Sequence, residues 1–249
     1  MLFKRWIIGS TLVLLYAITV MWNHEIFLWV NHTRSLIADQ WIGVIGGLGD
    51  GLVVAVIMCV LMLANFRVGL AGVLAFLLSG LLAQILKRLF EAPRPPVVLD
   101  DVIVLGDSLS RHSFPSGHSA SLGAMAVIFL LFYGYKRWEA WLAVALCAVG
   151  AYGRMYVGVH FPIDVLVGLS LGLLSSYYCW SYVHQKPIKV WENTAKTWYV
   201  IAALLLVLSA VLAFNYRVQP QTAQSMHWWV PTLSIMVALW LGKRRFAKD

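Results

Sequence analysis

The stretch Ser113–Ser121, SFPSGHSAS, stands where a polar loop gives way to an apolar run. Pro115 and Gly117 shape a tight turn. Behind them, Ser119–Tyr135 carries no charge, as a membrane helix requires. The first backbone N–H groups of such a helix lack intrahelical partners and lie at the positive end of its dipole. Ser116 adds a hydroxyl, and Gly117 lets an anion come close to the backbone. His118 sets an imidazole that titrates near neutral pH beside that anion. The stretch reads as a phosphate site with a proton donor built in. Taken alone, the same turn is an ordinary helix cap, so its neighbours must decide.

The surrounding composition is that of a membrane protein. Of 249 residues, 61% are hydrophobic and only 12% charged, against about 25% charged in soluble domains; the mean hydropathy is +0.77. Uncharged apolar runs recur at Trp6–Trp22, Leu52–Phe66, Val68–Leu86, Ser119–Tyr135, Ala140–Tyr152, Val165–Tyr182, Trp198–Asn215 and Trp228–Leu241. With their flanks, each approaches the roughly 20 residues needed to cross a bilayer. The expectation is an all-α, polytopic transmembrane helical bundle of about eight spans, with residues 1–249 forming a single integral membrane domain.

Other features carry less. Cys59, Cys147 and Cys179 fall inside apolar runs without paired or metal-ligand spacing, as packing residues do. The apolar run after the basic start Met1–Arg5 lacks a small-residue cleavage site and reads as an uncleaved first span. Asn23–Gln40, polar yet studded with Phe27, Leu28, Trp29 and Val30, reads as an interfacial segment. Its Asn31-His32-Thr33 sequon is a weak signal. Gly46–Gly51 is glycine-rich, but no strand precedes it, so close helix packing explains it better than a phosphate loop; Asp50 within it remains a candidate for the site rim. His184–Lys196 is the longest loop on the basic side.

The net charge of +8 is scattered between spans, which fits a topology signal rather than nucleic-acid binding. Placing both termini inside assigns 12 of the 19 basic residues to the cytoplasmic side. Five of the other seven, Lys87, Arg88, Arg94, Arg111 and Arg154, cluster in two outer loop regions. A translocated loop has no topological reason to be basic; an anionic ligand supplies one.

Two clusters share that outer side with the SFPSGHS turn: KRLFEAPRP, Lys87–Pro95, and GRMYVGVHFPID, Gly153–Asp164. His160 and Asp164 stand four apart, a spacing that places both on one helix face, with Pro162 suited to the first turn. A carboxylate against an imidazole fixes its tautomer and stabilises the cation formed when the other nitrogen reacts. His160 thus reads as a nucleophile and Asp164 as its orienter, against the rival reading of a surface pair near headgroups. Lys87, Arg94 and Arg154 supply positive charge for a phosphoryl group. Arg88 and Arg111 read as snorkelling toward headgroups.

Lys87, six residues, Arg94-Pro95; Pro115-Ser116-Gly117-His118; Arg154, five residues, His160, three residues, Asp164: this order resembles the tripartite signature of the type 2 phosphatidic acid phosphatase superfamily. The resemblance covers residues 87–164. It implies a helical-bundle core and a metal-free site needing no cofactor. His160 would match the residue that becomes a phosphohistidine, His118 the acid for the leaving group, and Asp164 the partner of His160. Lys87, Arg94, Ser116, Gly117 and Arg154 would match the phosphate binders. One departure is Gly153, where the third motif usually has serine. The implied partners are a lipid phosphate substrate and membrane lipids, with no nucleic acid and no obligate protein partner. The expected activity is hydrolysis of undecaprenyl pyrophosphate, phosphatidylglycerol phosphate or a lipid A phosphate at the outer face of a cytoplasmic membrane. Two alternatives stay open: a lipid phosphotransferase using the same intermediate, and a non-enzymatic protein that binds or transports anionic lipid.

Overall fold

A computed structural model of the chain describes residues 13–187 and 194–247. The start of the first apolar run and the middle of the His184–Lys196 loop, residues 188–193, therefore lie outside the described residues. The helices are α1 (Val13–Met21), α2 (Asn23–His32), α3 (Leu36–Gly47), α4 (Gly51–Ala64), α5 (Phe66–Phe90), α6 (Pro95–Val98), α7 (Gly117–Tyr133), α8 (Trp138–Tyr156), α9 (Pro162–Gln185), α10 (Ala195–Phe214) and α11 (Met226–Phe246).

Local chemistry sets the boundaries. Asp50, Asn65 and Ser116 cap α4, α5 and α7, each accepting a backbone N–H of the first turn through its side chain. Helix α5 stops at Glu91, whose φ of 43° closes the last turn, and Pro93 and Pro95 follow at once. Helix α9 opens on Pro162 at its first position.

Helix α7 is the axis of the bundle, buried nearly continuously from Ser119 to Ala126 and packed against α5, α8 and α9. Small residues let α9 come close. A side chain at Gly168 would strike the Ser116 carbonyl, and one at Gly172 the Ala120 carbonyl. Such glycine-lined contact is how apolar helices gain dispersion energy where lipid competes equally for leucine. Helices α10 and α11 form an outer layer on α4, joined to it through Val53, Val56, Leu205, Leu212 and Met226. Helix α3 runs along α8. The Gly153 position explains itself here, because a Cβ would lie 3.0 Å from Ile42 Cγ2 and 3.2 Å from the Ile42 carbonyl. A serine would face α3 and force it outward.

Among the described residues, three helical segments are long and apolar enough to cross a membrane, Phe66–Val98, Pro162–Gln185 and Ala195–Phe214. Counting each bent pair as one crossing, α1 with α2 (76°) and α3 with α4 (59°), gives up to five. The expected eight spans are not reached. The Leu52–Phe66 run is the 14-residue α4, which needs α3 to span; α7 has 17 residues. Hydropathy registers apolar runs but not where the chain bends.

The Asn23–Gln40 segment becomes α2 and the start of α3. Asn23 Oδ1 accepts the Ile163 N–H at the head of α9, and Phe27 packs edge-on to Phe161. Asn31 is fully buried, its amide bonded to Ile103 N, Ile103 O and Tyr156 O. That amide is committed to the fold, which removes the sequon as a modification site.

Candidate active site

The end of α5, the starts of α7 and α9 and the end of α8 meet at one end of the bundle, bringing together residues from all three motifs. His160 and Asp164 are 3% and 2% exposed. His160 Nδ1 lies 3.4 Å from Asp164 Oδ2. They do not share a helix face as expected. Pro162 starts α9 after His160, and Asp164, in its first turn, turns back to accept the Phe161 N–H at 2.9 Å. The pair is the expected one; a capping geometry, not helical periodicity, makes it.

A residue that the spacing argument left out completes this knot. Ser113 is buried, donates to Asp164 Oδ2 at 2.6 Å and has its Oγ 3.5 Å from His160 Nδ1. The only sequence signal was its place at the head of the SFPSGHSAS stretch. With Nδ1 facing Asp164 and Ser113, Nε2 of His160 makes no hydrogen bond among the described residues. Burial, then the positive charges of Arg94, Arg154 and Lys87, hold the His160 imidazole well below its ordinary range.

The cations are held in three ways. Lys87 donates to the carbonyls of His112 and Ser113. Arg94, 8% exposed, donates to Arg111 O at 3.0 Å, Val159 O at 3.1 Å and His112 O at 3.5 Å. Arg154, 7% exposed, sits in the last turn of α8, and its Nε is buried without a partner. Carbonyl oxygens orient Lys87 and Arg94 without neutralising them, so the positive charge is kept for a ligand.

Ser116 Oγ accepts from Ser119 N at 3.3 Å and from Ser119 Oγ at 2.9 Å. Its cap is made through lone pairs, leaving its own proton free to donate. Nothing lies within 4 Å of where a Cβ on Gly117 would stand, so the turn is open to a ligand. His118 follows, with Nε2 buried and unpartnered. Two orphaned polar atoms, on Arg154 and His118, at one site are unusual in a folded protein. An anion with several oxygens would satisfy Arg154, and a protonated His118 would have an acceptor. A cavity of about 320 Å³ opens beside Gly117 and His118, walled by α5 residues including Leu77, Leu81 and Gln84. Arg88 and Arg111 are exposed, as snorkelling side chains are. Among the described residues, no group of three or more His, Cys, Asp or Glu side chains is placed to hold a metal.

The Ser113 bond yields a test. A hydrogen bond to a charged acceptor contributes about 1.5–3 kcal/mol. Ser113→Ala should therefore lower the unfolding temperature in detergent clearly, whereas Ser108→Ala, on the exposed loop, should not. Equal unfolding temperatures for the two variants would show that the knot does not depend on Ser113.

Comparison with known proteins follows the same lines. Residues 68–189 match the PAP2 superfamily. An undecaprenyl-diphosphatase of Sulfolobus acidocaldarius is 29% identical over 130 residues, which cover 52% of this chain and 62% of that protein. The chain thus spans under two thirds of this curated relative. Among solved structures, Aquifex aeolicus LpxE superposes with a TM-score of 0.60 at 31% identity, over 64% of this chain and 95% of that one. A PAP2-type phosphatidylglycerolphosphate phosphatase from Bacillus subtilis does so at 0.57 and 27% identity, over 72% and 97%. The matched segment contains all three motifs and nearly the whole of LpxE is covered, and on that ground this integral membrane chain belongs to the PAP2 superfamily.

Proposed function

We propose that the chain is a membrane lipid phosphatase that hydrolyses a lipid phosphate or diphosphate through a phosphohistidine at His160. The observation that carries this reading is the environment of His160. Its Nδ1 is tied to Asp164 and Ser113, while Nε2 is left without a partner beside the buried Arg94 and Arg154 and the half-buried Lys87. In this reading Arg154, Arg94 and Lys87, with the Ser116 hydroxyl and the α7 N-terminus at Gly117, hold the phosphoryl oxygens. The Nε2 lone pair of His160 forms the N–P bond as the P–O bond to the lipid breaks. The leaving oxygen takes its proton from His118. Burial and the neighbouring cations hold that imidazole well below its ordinary range in the free site, so its proton is taken up with the bound phosphoryl group, whose charge offsets those cations. Asp164 stabilises the imidazolium at Nδ1. Water then attacks phosphorus, giving its proton to His118; the P–N bond breaks and inorganic phosphate departs. The sum is lipid phosphate plus water giving lipid alcohol, or lipid monophosphate, plus phosphate. The charge is met by fixed side chains, so no metal enters the scheme. Undecaprenyl pyrophosphate, phosphatidylglycerol phosphate and lipid A phosphates remain the substrate candidates.

The test is phosphate release from purified protein on a panel of these lipids, with its pH dependence. Because His160 is held below its ordinary pKa, it stays neutral as pH falls and is lost as a nucleophile only on passing its own depressed value. The acid limb of kcat/KM, which reports the free enzyme, should therefore inflect below about 6.5, after correction for the substrate's own titration. An inflection at or above that value would contradict the assignment, and no release from any lipid would remove the function.

We also propose that the site faces the outside of a cytoplasmic membrane, with both termini inside. Arg67, Arg137, Lys186, Lys196 and Lys243–Arg245 lie at or near the ends of helices α5, α8, α9, α10 and α11 remote from the site, as an inner basic face would. Single cysteines in a background lacking Cys59, Cys147 and Cys179 test this. A cysteine at Ser108 should react with an impermeant thiol reagent in intact spheroplasts, and one at Lys136 only after lysis. The reverse pattern would turn the site to the cytoplasm.

A further inference from the structure

Asp50 lies outside the three motifs, yet it is only 4% exposed. Its Oδ1 accepts from Leu52 N at 2.9 Å and Val53 N at 3.4 Å, capping α4. A cap accounts for that oxygen and no more. Oδ2 accepts from the Tyr216 hydroxyl at 2.9 Å, across 166 positions of sequence. Tyr216 belongs to the connection between α10 and α11, beyond the segment that matches the family. Burial and the facing carboxylate push the Tyr216 hydroxyl up to about 12, so it stays a donor at any ordinary pH.

The flanking glycines place this carboxylate at the site. The backbone of Gly49 abuts the His118 carbonyl so closely that a Cβ would come within 2.8 Å of it. Gly49 and Gly51 line the same cavity as Gly117 and His118. Asp50 and Arg154 attract each other electrostatically, although no hydrogen bond or ion pair joins them among the described residues. Arg154 thus faces the buried carboxylate of Asp50, while Asp164, which Lys87 and Arg94 face, is committed to His160. A pocket that is too positive would hold inorganic phosphate as firmly as substrate, and such uniform binding does not aid turnover.

We propose that Asp50 is a positioning residue that acts through Arg154: a fixed counter-charge, braced by Tyr216, that limits how tightly the cationic site holds phosphate. This rests on the reading of the site as phosphoryl-binding. The asparagine and serine variants, Asp50→Asn and Asp50→Ser, keep a side-chain cap on α4 while removing the charge. Inorganic phosphate and vanadate should inhibit both more tightly than wild type, by about threefold or more for a charge screened between the near-surface and bulk-water limits. A residue that served only as a cap would leave these constants unmoved. Tyr216→Phe keeps every charge; its inhibition constants should stay within about twofold while its unfolding temperature falls. Unchanged or weaker inhibition in the Asp50 variants would overturn the proposal. So would equal tightening in Tyr216→Phe, which would trace the effect to packing. If neither ion binds even the wild type, the phosphoryl-site reading itself fails, and this inference goes with it; binding with unchanged constants defeats this inference alone.

Discussion

The carboxylate of Asp164 has to serve two loops at once. One oxygen takes the Ser113 hydroxyl from the segment leading into α7, the Phe161 N–H at the head of α9, and a position 3.4 Å from His160 Nδ1. In the other direction, the Asp164 carbonyl accepts the Ser116 N–H at 3.0 Å. The heads of α7 and α9 are thus locked through the same residue that orients the histidine. The lock needs the two helices to approach closely, which the Gly168 and Gly172 contacts allow. Packing, capping and the placing of an imidazole are one arrangement here. A buried network of this kind rigidifies when every member is satisfied.

Beside that satisfied knot lies a deliberately unsatisfied one. Arg154 Nε and His118 Nε2 are buried without partners, and the cations beside them are oriented by backbone carbonyls rather than neutralised. Leaving polar atoms orphaned costs stability, and such local costs concentrate where a ligand is to be received. In the proposed reaction, the contrast between a partnered Nδ1 side and an open Nε2 side gives His160 its direction.

The sequence carried which side chains meet at this end of the bundle, because the motifs sit at helix ends where identity and short spacing decide what meets. Lys87, Arg94, Ser116, Gly117, His118, Arg154, His160 and Asp164 do converge. What it did not carry were contacts made by the long path of the chain. Ser113 reaches Asp164 across 51 positions, and Tyr216 reaches Asp50 across 166; no periodicity encodes either. The His160–Asp164 pair was legible, yet through helical spacing that Pro162 interrupts. The eight-span count is not confirmed among the described residues, and hydropathy did not show that the Leu52–Phe66 run crosses only together with α3, past a bend at Leu48–Asp50. Gly153, a departure from the motif's usual serine, is the place where α3 leans on α8.

The account stands or falls on covalent chemistry at one nitrogen. A radiolabelled lipid phosphate mixed with the enzyme, quenched in alkali within a single turnover and mapped by peptide, should give an acid-labile, alkali-stable phosphoryl label on His160. The label should vanish in His160→Ala, with the protein still folded. Turnover without any phosphoenzyme, or a label that maps to another residue, would contradict it.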